Sequence, residues 1–361
     1  MNMIQTVTGP LHPDDLGIAS LHEHVYSGGG PALYADREDH SDFPYWDLPI
    51  TIDILGALRR GAPNRDNMSL NDEGIAAEEL GHFAALGGTT VVDNTGVGLN
   101  RDPVALRRIA EATGLNIVTT TGFYKHGMHP PWVEKMNADQ VADLMVEEIE
   151  EGIDDTGIRA GSIGECACSE EPLPYHPEEE KILRAACRAQ IRTGVGFTIH
   201  PSIFDARGGG IATVGEAYVD LIEEEGADLG SFYLSHCDLS LDHLDYHRRL
   251  LDRGATISYD TFGYEGINSP EFLGGCRMPS DIERVNCIAV LCQEGYDRQI
   301  VMAQDVGMRM LWKRYGGSGY SLVLEWAVPL LLQRGVSEQQ IHNMLVENPK
   351  RILTPTPGGT G

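Results

Sequence analysis

Eight short runs of β-branched and apolar residues recur along the chain, separated by segments with helical periodicity. Strands of this composition, without polar alternation, are typical of parallel sheets buried on both faces. Eight of them alternating with helices predict an α/β fold, a closed (β/α)8 TIM barrel, although the alternation also fits an open, doubly wound sheet. The runs are residues 18–21, 89–93, 116–121, 162–165, 196–200, 232–236, 256–260 and 300–305.

The predicted helices fill the gaps between these strands, and a final helix begins with the capping-box sequence Ser337-Glu-Gln-Gln340. A barrel with insertions spans 361 residues comfortably, so we expect one domain over residues 1–353. The helical segments are 72–86, 103–112, 138–150, 177–193, 213–225, 241–253, 281–294 and 336–345.

Two segments fall outside this regular alternation. Residues 28–65 follow the first strand and are rich in aromatic residues and proline, which predicts a long loop, more often functional than idle in a compact domain. Residues 354–361 have no apolar side chains with which to dock, so we expect a disordered tail.

Composition excludes several classes of partner. The formal net charge is −27, from 54 acidic and 27 basic residues, and such a surface repels nucleic acid and anionic membranes. We find neither a signal peptide nor a membrane span. The seven cysteines lack paired metal-site spacing and are expected to be buried free thiols in a reducing compartment, which predicts a cytoplasmic protein.

Polar residues that can bind metals fall at or near the carboxyl ends of five predicted strands, and in a barrel these ends converge on one face. Two histidines that are two residues apart on an extended strand point to the same side. The candidate metal ligands at these strand ends are six residues, His22, His24, Glu165, His200, His236 and Asp305.

Imidazole nitrogens with a few carboxylates are the ligand set of zinc and similar divalent metals, whereas a magnesium or calcium site would consist mostly of oxygen. Four histidines with two carboxylates are enough for two ions. We therefore expect two divalent metal ions, with zinc favoured and manganese, cobalt or iron as alternatives. A single strand histidine is usually a packing residue, so this prediction depends on the six residues acting together.

Several longer motifs are spread over nearly the whole chain. Those of the amino-terminal half are Thr6-Val-Thr-Gly-Pro10, Leu16-Gly17, Leu21-His-Glu-His24 and Arg159-Ala-Gly-Ser-Ile-Gly-Glu165. Those of the carboxyl-terminal half are Thr198-Ile-His-Pro201, Leu234-Ser-His-Cys-Asp238, Gln304-Asp305 and Glu347-Asn-Pro-Lys-Arg-Ile-Leu353. In their order and spacing these motifs resemble the phosphotriesterase family of the amidohydrolase superfamily.

The resemblance implies that His22, His24 and Asp305 bind the more buried metal, that His200 and His236 bind the more exposed one, and that a carboxylate bridges the two. In many family members a carboxylated lysine is the bridge. This chain has no lysine in its fourth predicted strand, and Ile-Gly-Glu165 is similar to the phosphotriesterase-related and resiniferatoxin-binding type, in which a glutamate is the bridge. Gly164 would permit the closer approach that the shorter glutamate requires.

A metal-dependent hydrolase is the predicted function, in which a hydroxide shared by the two cations attacks a carboxylic ester, lactone or amide. The alternatives are an organophosphate triesterase with the same centre, and a barrel that binds an apolar ligand without catalysis. Asp305 is the candidate for accepting the proton of the attacking water. Tyr124 either donates a hydrogen bond to the substrate oxygen or is a packing residue, and weaker candidates for the pocket are Asp260, Tyr264, Arg309 and Trp312.

The expected partner is a small-molecule substrate. Members of the family often form dimers, so a homodimer is a further expectation from the resemblance. The aromatic stretch 34–46 is then either part of that interface or a lid over the site.

Overall fold

Eight parallel strands form one sheet in which each strand pairs with the next strand along the chain. The structure is a computed structural model and describes residues 2–28, 41–169, 175–203, 212–266 and 278–356. A short antiparallel hairpin, β1 with β2, precedes the sheet and was not predicted. The strands are β1 (Ile4–Thr6), β2 (Gly9–Leu11), β3 (Ile18–Glu23), β4 (Gly88–Asp93), β5 (Asn116–Thr121), β6 (Ser162–Ala167), β7 (Phe197–His200), β8 (Phe232–Leu234), β9 (Thr256–Tyr259) and β10 (Ile300–Met302).

The first and last strands of this sheet meet, so that the sheet curls into a barrel. The backbone N–H of Asp305, just after β10, donates to the carbonyl oxygen of His22 on β3 at 3.0 Å. All six residues of β6 are buried, as expected for a strand with a filled barrel on one side and helices on the other. The predicted (β/α)8 barrel is therefore confirmed, and the doubly wound alternative is wrong.

The helices pack outside the barrel, and most begin where the sequence predicted them. Asp72, Asp102 and Asn137 cap the first turns of three helices with their side chains, which satisfies backbone N–H groups that have no partner within the helix. The helices are α1 (Ile52–Leu58), α2 (Glu73–Ala85), α3 (Pro103–Thr113), α4 (Ala138–Glu150), α5 (Pro177–Thr193), α6 (Gly215–Glu225), α7 (Leu244–Asp252), α8 (Asp281–Gln293), α9 (Val328–Gln333), α10 (Glu338–His342) and α11 (Asn348–Leu353).

Two local predictions need correction. The expected loop 28–65 contains α1, whose Ile54, Leu55 and Leu58 are buried, while residues 29–40 lie outside the described residues. The final predicted helix does begin with the capping box of Ser337, but α10 passes at residue 343 into a π-helical turn. In the predicted tail 354–361, Thr356 N donates to Gly194 O at the end of α5 at 2.9 Å, and residues 357–361 lie outside the described residues.

Two predictions drawn from composition can be compared with the fold. Six cysteines within the described ranges are free, and all but Cys287 are buried, as predicted; Cys276 lies outside those ranges. Across the same ranges, none of the helices has the length and apolar character needed to cross a bilayer.

Glu23 connects β3 to the segment that follows β10. Its buried carboxylate accepts hydrogen bonds from Ser20 Oγ at 2.6 Å, from Gln304 N at 2.9 Å and from Val306 N at 3.0 Å. Burial raises the pKa of Glu23 to about 7, although these donors act in the opposite direction. Because Gln304 and Val306 flank Asp305, this carboxylate fixes the position of one of the predicted metal ligands.

We predict that Glu23→Gln lowers the free energy of unfolding by about 1–3 kcal/mol. The amide group has only one acceptor oxygen, so its NH2 must face a backbone N–H that Glu23 now satisfies. Chemical denaturation measures the change, and Glu134→Gln, at an exposed position, is the matched control. Equal stability of the two variants would contradict the role given to Glu23.

Candidate active site

Six side chains from five barrel strands meet at the carboxyl end of the barrel. They are His22 on β3, His24 directly after β3, Glu165 on β6, His200 at the end of β7, His236 two residues after β8, and Asp305 three residues after β10. Five of them are buried, and Asp305 keeps 15% of its side chain exposed. The structure therefore brings together all six residues that the sequence predicted as metal ligands.

One group of donor atoms is formed by His22, His24 and Asp305. The Nε2 atoms of His22 and His24 lie 3.6 Å and 3.3 Å from Asp305 Oδ1. One oxygen of Glu165 faces each imidazole, at 3.3 Å from His22 Nε2 and 3.6 Å from His24 Nε2. The donor atoms of the two histidines and Asp305 lie within 4.8 Å of one another, a spacing that a single metal ion can bridge.

A second group is formed by His200, His236 and the same glutamate. His200 Nδ1 is 3.1 Å from Glu165 Oε2 and 2.8 Å from His236 Nε2, which is itself 3.7 Å from Glu165 Oε2. Glu165 thus lies between the two groups, with one carboxylate shared by four imidazoles.

Two of these imidazoles have a buried nitrogen without a hydrogen-bond partner among the described residues, namely His22 Nε2 and His200 Nε2. A buried polar atom left without a partner is costly and needs a physical explanation. His22 Nε2 faces the carboxylates of Glu165 and Asp305, and an unprotonated imidazole nitrogen in this position satisfies the chemistry of a divalent metal site. The donor set therefore fits the predicted ions.

The backbone is unusual at three positions around the site. His236 and Asp305 have positive φ angles of 58° and 48°, a left-handed conformation that is rare outside glycine and that concentrates at functional sites. Gly164 has a φ of +136°, and a Cβ atom at this position would lie 2.6 Å from Thr198 Cγ2. Only glycine therefore allows β6 to approach β7 this closely, next to Glu165.

Each of three histidines is oriented by a hydrogen bond to its Nδ1 atom. His24 Nδ1 lies 3.0 Å from Thr95 Oγ1, and His22 Nδ1 lies 2.9 Å from Ser235 Oγ. His236 Nδ1 donates to Asp260 Oδ1 at 2.8 Å, and its backbone N–H donates to the same oxygen. Such partners direct the Nε2 atom toward the site. The sequence suggested Asp260 only as a weaker pocket candidate and did not point to Thr95 or Ser235.

Asp260 is itself anchored by a buried ion pair. Its backbone N–H donates to Asp238 Oδ1 at 3.3 Å, and Arg284 Nε donates to Asp238 Oδ2 at 2.6 Å. Asp238 and Arg284 are both fully buried, so the charge of each is stabilised by the other. This arrangement fixes the strand end from which Asp260 reaches His236.

Charge in the site follows from these contacts. Burial raises the pKa of Glu165, but the imidazoles of His200 and His22 outweigh it and hold the pKa well below its usual value. Burial lowers the pKa of His200 to about 4, although the Glu165 carboxylate acts in the opposite direction. An ionised Glu165 carboxylate is the form that metal binding requires.

Above these residues lies a cavity with two tyrosines in its wall. The Tyr124 ring lies 5.4 Å from the His200 ring, and burial raises the pKa of Tyr124 well above its usual value, so its hydroxyl remains a donor. Tyr264 donates its hydroxyl hydrogen to the carbonyl oxygen of Asp305 at 2.6 Å. The remaining wall is largely apolar and includes Met68, Leu99, Ile203, Leu239, Met278 and Met308.

Two weaker candidates from the sequence lie elsewhere. Arg309 donates to Asp66 Oδ1 at 2.5 Å and to Asn71 Oδ1 at 2.6 Å, so it ties down the segment before α2. Trp312 is fully buried and donates to Tyr320 Oη at 3.1 Å. Neither residue is part of the described cavity wall.

Known proteins resemble this chain over nearly its whole length. The model of the phosphotriesterase family matches residues 2–353. The chain is 34% identical to N-acetyltaurine hydrolase of Xenopus tropicalis over 353 residues, covering 97% of each protein. It is also 34% identical to a phosphotriesterase-related protein of Nematostella vectensis, covering 98% of each.

Among solved structures, a resiniferatoxin-binding protein from Rhodobacter sphaeroides superimposes with a TM-score of 0.88 at 35% identity, covering 98% of this chain and 95% of that one. The resemblance noted from the sequence motifs is therefore confirmed. The chain belongs to the phosphotriesterase family and is a hydrolase.

Proposed function

We propose that the barrel mouth binds two divalent metal ions, with zinc favoured, and that the protein hydrolyses a carboxylic amide, ester or lactone. The single observation that carries this proposal is the position of Glu165. One buried, ionised carboxylate faces two separate groups of donor atoms, and in the first group His22 Nε2 has no hydrogen-bond partner among the described residues. A packing role for these histidines does not account for such an arrangement.

In this proposal His22, His24 and Asp305 would hold one ion, His200 and His236 would hold the other, and the Glu165 carboxylate would be shared by both. When bound, two divalent cations lower the pKa of a water molecule and polarise the carbonyl oxygen of the substrate. The bridging role of Glu165 requires no carboxylated lysine.

Asp305 is the proposed general base and acid. Its carboxylate is the most exposed of the six ligands and faces the cavity, so it can accept a proton from the attacking water and deliver it to the leaving group. The Tyr264 hydroxyl, bonded to the Asp305 carbonyl oxygen, keeps this residue in its left-handed conformation. Tyr124 is proposed to donate a hydrogen bond to the substrate oxygen as charge develops there.

An amide is the favoured substrate within this class. Relatives named N-acetyltaurine hydrolase, whose name states an amide substrate, match this chain over 97% of its length. The apolar wall suits a small acyl group. Esters, lactones and phosphotriesters remain in the test panel because the same centre can polarise a carbonyl or a phosphoryl oxygen.

We predict that a chelator abolishes hydrolysis and that zinc restores it. The purified protein should contain about two equivalents of metal per chain by elemental analysis, and both should be lost together with activity on N-acyl amines, esters or lactones. A panel that also includes phosphotriesters identifies the preferred bond. Retained metal with no turnover on any substrate would instead favour a ligand-binding barrel.

We predict that Glu165→Ala loses metal occupancy and lowers the hydrolysis rate at least about a hundredfold, while circular dichroism shows a folded barrel. Removal of the carboxylate takes the shared ligand from both groups of histidines. Glu134→Ala, on the surface, is the matched control and should behave as the unmodified protein. Normal metal content and rate in Glu165→Ala would overturn the bridging assignment.

We predict that Asp260→Asn weakens metal binding by about 10–100-fold without unfolding the chain. Asparagine keeps the size of the side chain but not the charge that orients His236. Competition with a chromophoric chelator measures the affinity. If Asp260→Asn binds both ions as tightly as the unmodified protein, Asp260 does not orient a ligand.

A further inference from the structure

A lysine follows Tyr124 directly in the loop after β5. Lys125 is half-buried, and its Nζ lies 5.5 Å from the centre of the Tyr124 ring, which itself lies 5.4 Å from the His200 ring. Burial is the main cause that lowers the pKa of His200, to about 4, and the Lys125 ammonium adds to it. The positive charge is therefore close enough to the candidate metal site to act on it.

The five lysines of the chain differ in the partners of their ammonium groups. Lys181 donates to the carbonyl oxygen of Val133 at 2.6 Å, and Lys313 and Lys350 form ion pairs with carboxylates. Lys135 is exposed to water. Lys125, in contrast, is half-buried, and no oxygen atom of the described residues accepts a hydrogen bond from it.

A partly desolvated ammonium without an acceptor is unfavourable. Burial accordingly lowers the pKa of Lys125, and the more distant carboxylates of Glu165 and Glu179 offset this only in part. An anion placed beside Nζ would satisfy its hydrogen-bonding capacity and favour the charged form. The Lys125 ammonium thus has hydrogen-bonding capacity that a negatively charged ligand could use.

Three other described cations are already paired. Arg309 binds Asp66 and Asn71, Arg284 binds Asp238, and Arg101 binds Glu148. The described cavity wall itself contains no lysine or arginine, but it contains Tyr124. Lys125, which lies beside that tyrosine, is therefore a cation close to the wall that has no oxygen partner among the described residues.

The backbone around Lys125 is held in place before any ligand binds. Tyr124 N donates to Val97 O at 2.9 Å, and Met128 N donates to Lys125 O at 2.8 Å. His129 Nε2 donates to Tyr124 O at 2.6 Å, while its Nδ1 bonds to Glu178 Oε2 at 3.0 Å. A cation on a fixed backbone loses less freedom on binding than one on a mobile loop.

We propose that Lys125 binds the anionic group of the substrate, and that the substrate is an N-acyl amino acid or N-acyl aminosulfonate whose carboxylate or sulfonate lies a few bonds from the scissile amide. This inference rests on the proposed amide hydrolysis. Water supplies the oxygen to the acyl carbon, the carbon–nitrogen bond breaks, and the amine nitrogen takes up a proton. Lys125 remains an ammonium throughout and acts on binding.

The test compares two substrates that differ only at the anionic end, N-acetyl-2-aminoethanesulfonate and the uncharged N-acetyl-2-aminoethanol. We predict that Lys125→Met lowers kcat/KM for the sulfonate about 10–100-fold, mainly through KM, because a charge-assisted hydrogen bond is lost. Its kcat/KM for the uncharged amide should stay within about twofold. Lys125→Arg should retain most of the preference for the sulfonate, and Lys135→Met serves as the matched control.

Equal losses on both substrates would show that Lys125 only supports the fold of the loop, and no loss on either would show that it does not contact the substrate; either result overturns the proposal. Binding of ethanesulfonate by calorimetry separates this proposal from the proposed function. If the unmodified protein binds ethanesulfonate and Lys125→Met does not, the anion site stands even where no amide is hydrolysed. If amides are hydrolysed but ethanesulfonate binds both proteins equally, the anion site fails alone.

Discussion

A buried carboxylate that is shared by four imidazoles is the interaction on which the rest of this barrel mouth depends. Glu165 has nearly no access to water, so its negative charge persists only because His200 and His22 compensate the loss of hydration. Those histidines in turn keep nitrogens that protein atoms do not satisfy among the described residues. Carboxylate and imidazoles thus require one another, and together they leave coordination capacity for cations.

This arrangement is possible because the barrel closes at the right place. Asp305 belongs to a segment that Glu23 fastens to β3 through the backbone N–H groups on either side of it. The same segment completes the ring through the hydrogen bond from Asp305 to His22. The contacts that close the sheet therefore also position the ligands. Glu23, which lies between His22 and His24 in the chain, stabilises both the closure and the site.

The sequence predicted the parts of this structure that leave a periodic or paired signal. Buried strands, helix caps and the His-x-His pattern of β3 can be read from neighbouring residues, and the six strand-end residues follow from the convergence of a barrel. Thr95, Ser235 and the hairpin of β1 and β2 were missed. A single hydrogen bond between distant strands has no sequence signature, and three-residue strands are too short to show alternation.

The α1 helix was missed for a different reason. It lies within a stretch whose prolines and aromatic residues indicated a loop, and its seven residues are too few to establish helical periodicity. Tertiary packing of Ile54, Leu55 and Leu58 stabilises this helix, and packing cannot be inferred from local propensity alone. Sequence therefore predicts the ligand-bearing framework better than it predicts the segments around it.

Selectivity for a substrate arises from the residues around the ligand-bearing framework. The metal-ligand geometry polarises any suitable carbonyl and has no means of distinguishing the rest of the molecule. Discrimination between substrates must therefore come from the cavity wall and from Lys125 beside Tyr124. Apart from the metal ligands, the tyrosines and a few other polar groups, that wall is apolar. The chain has a net charge of −27, so the protein as a whole repels an anionic substrate. Lys125, which has no oxygen partner in the described structure, can still favour such a substrate. At short range a desolvated contact outweighs the more distant charges, because water and salt screen them.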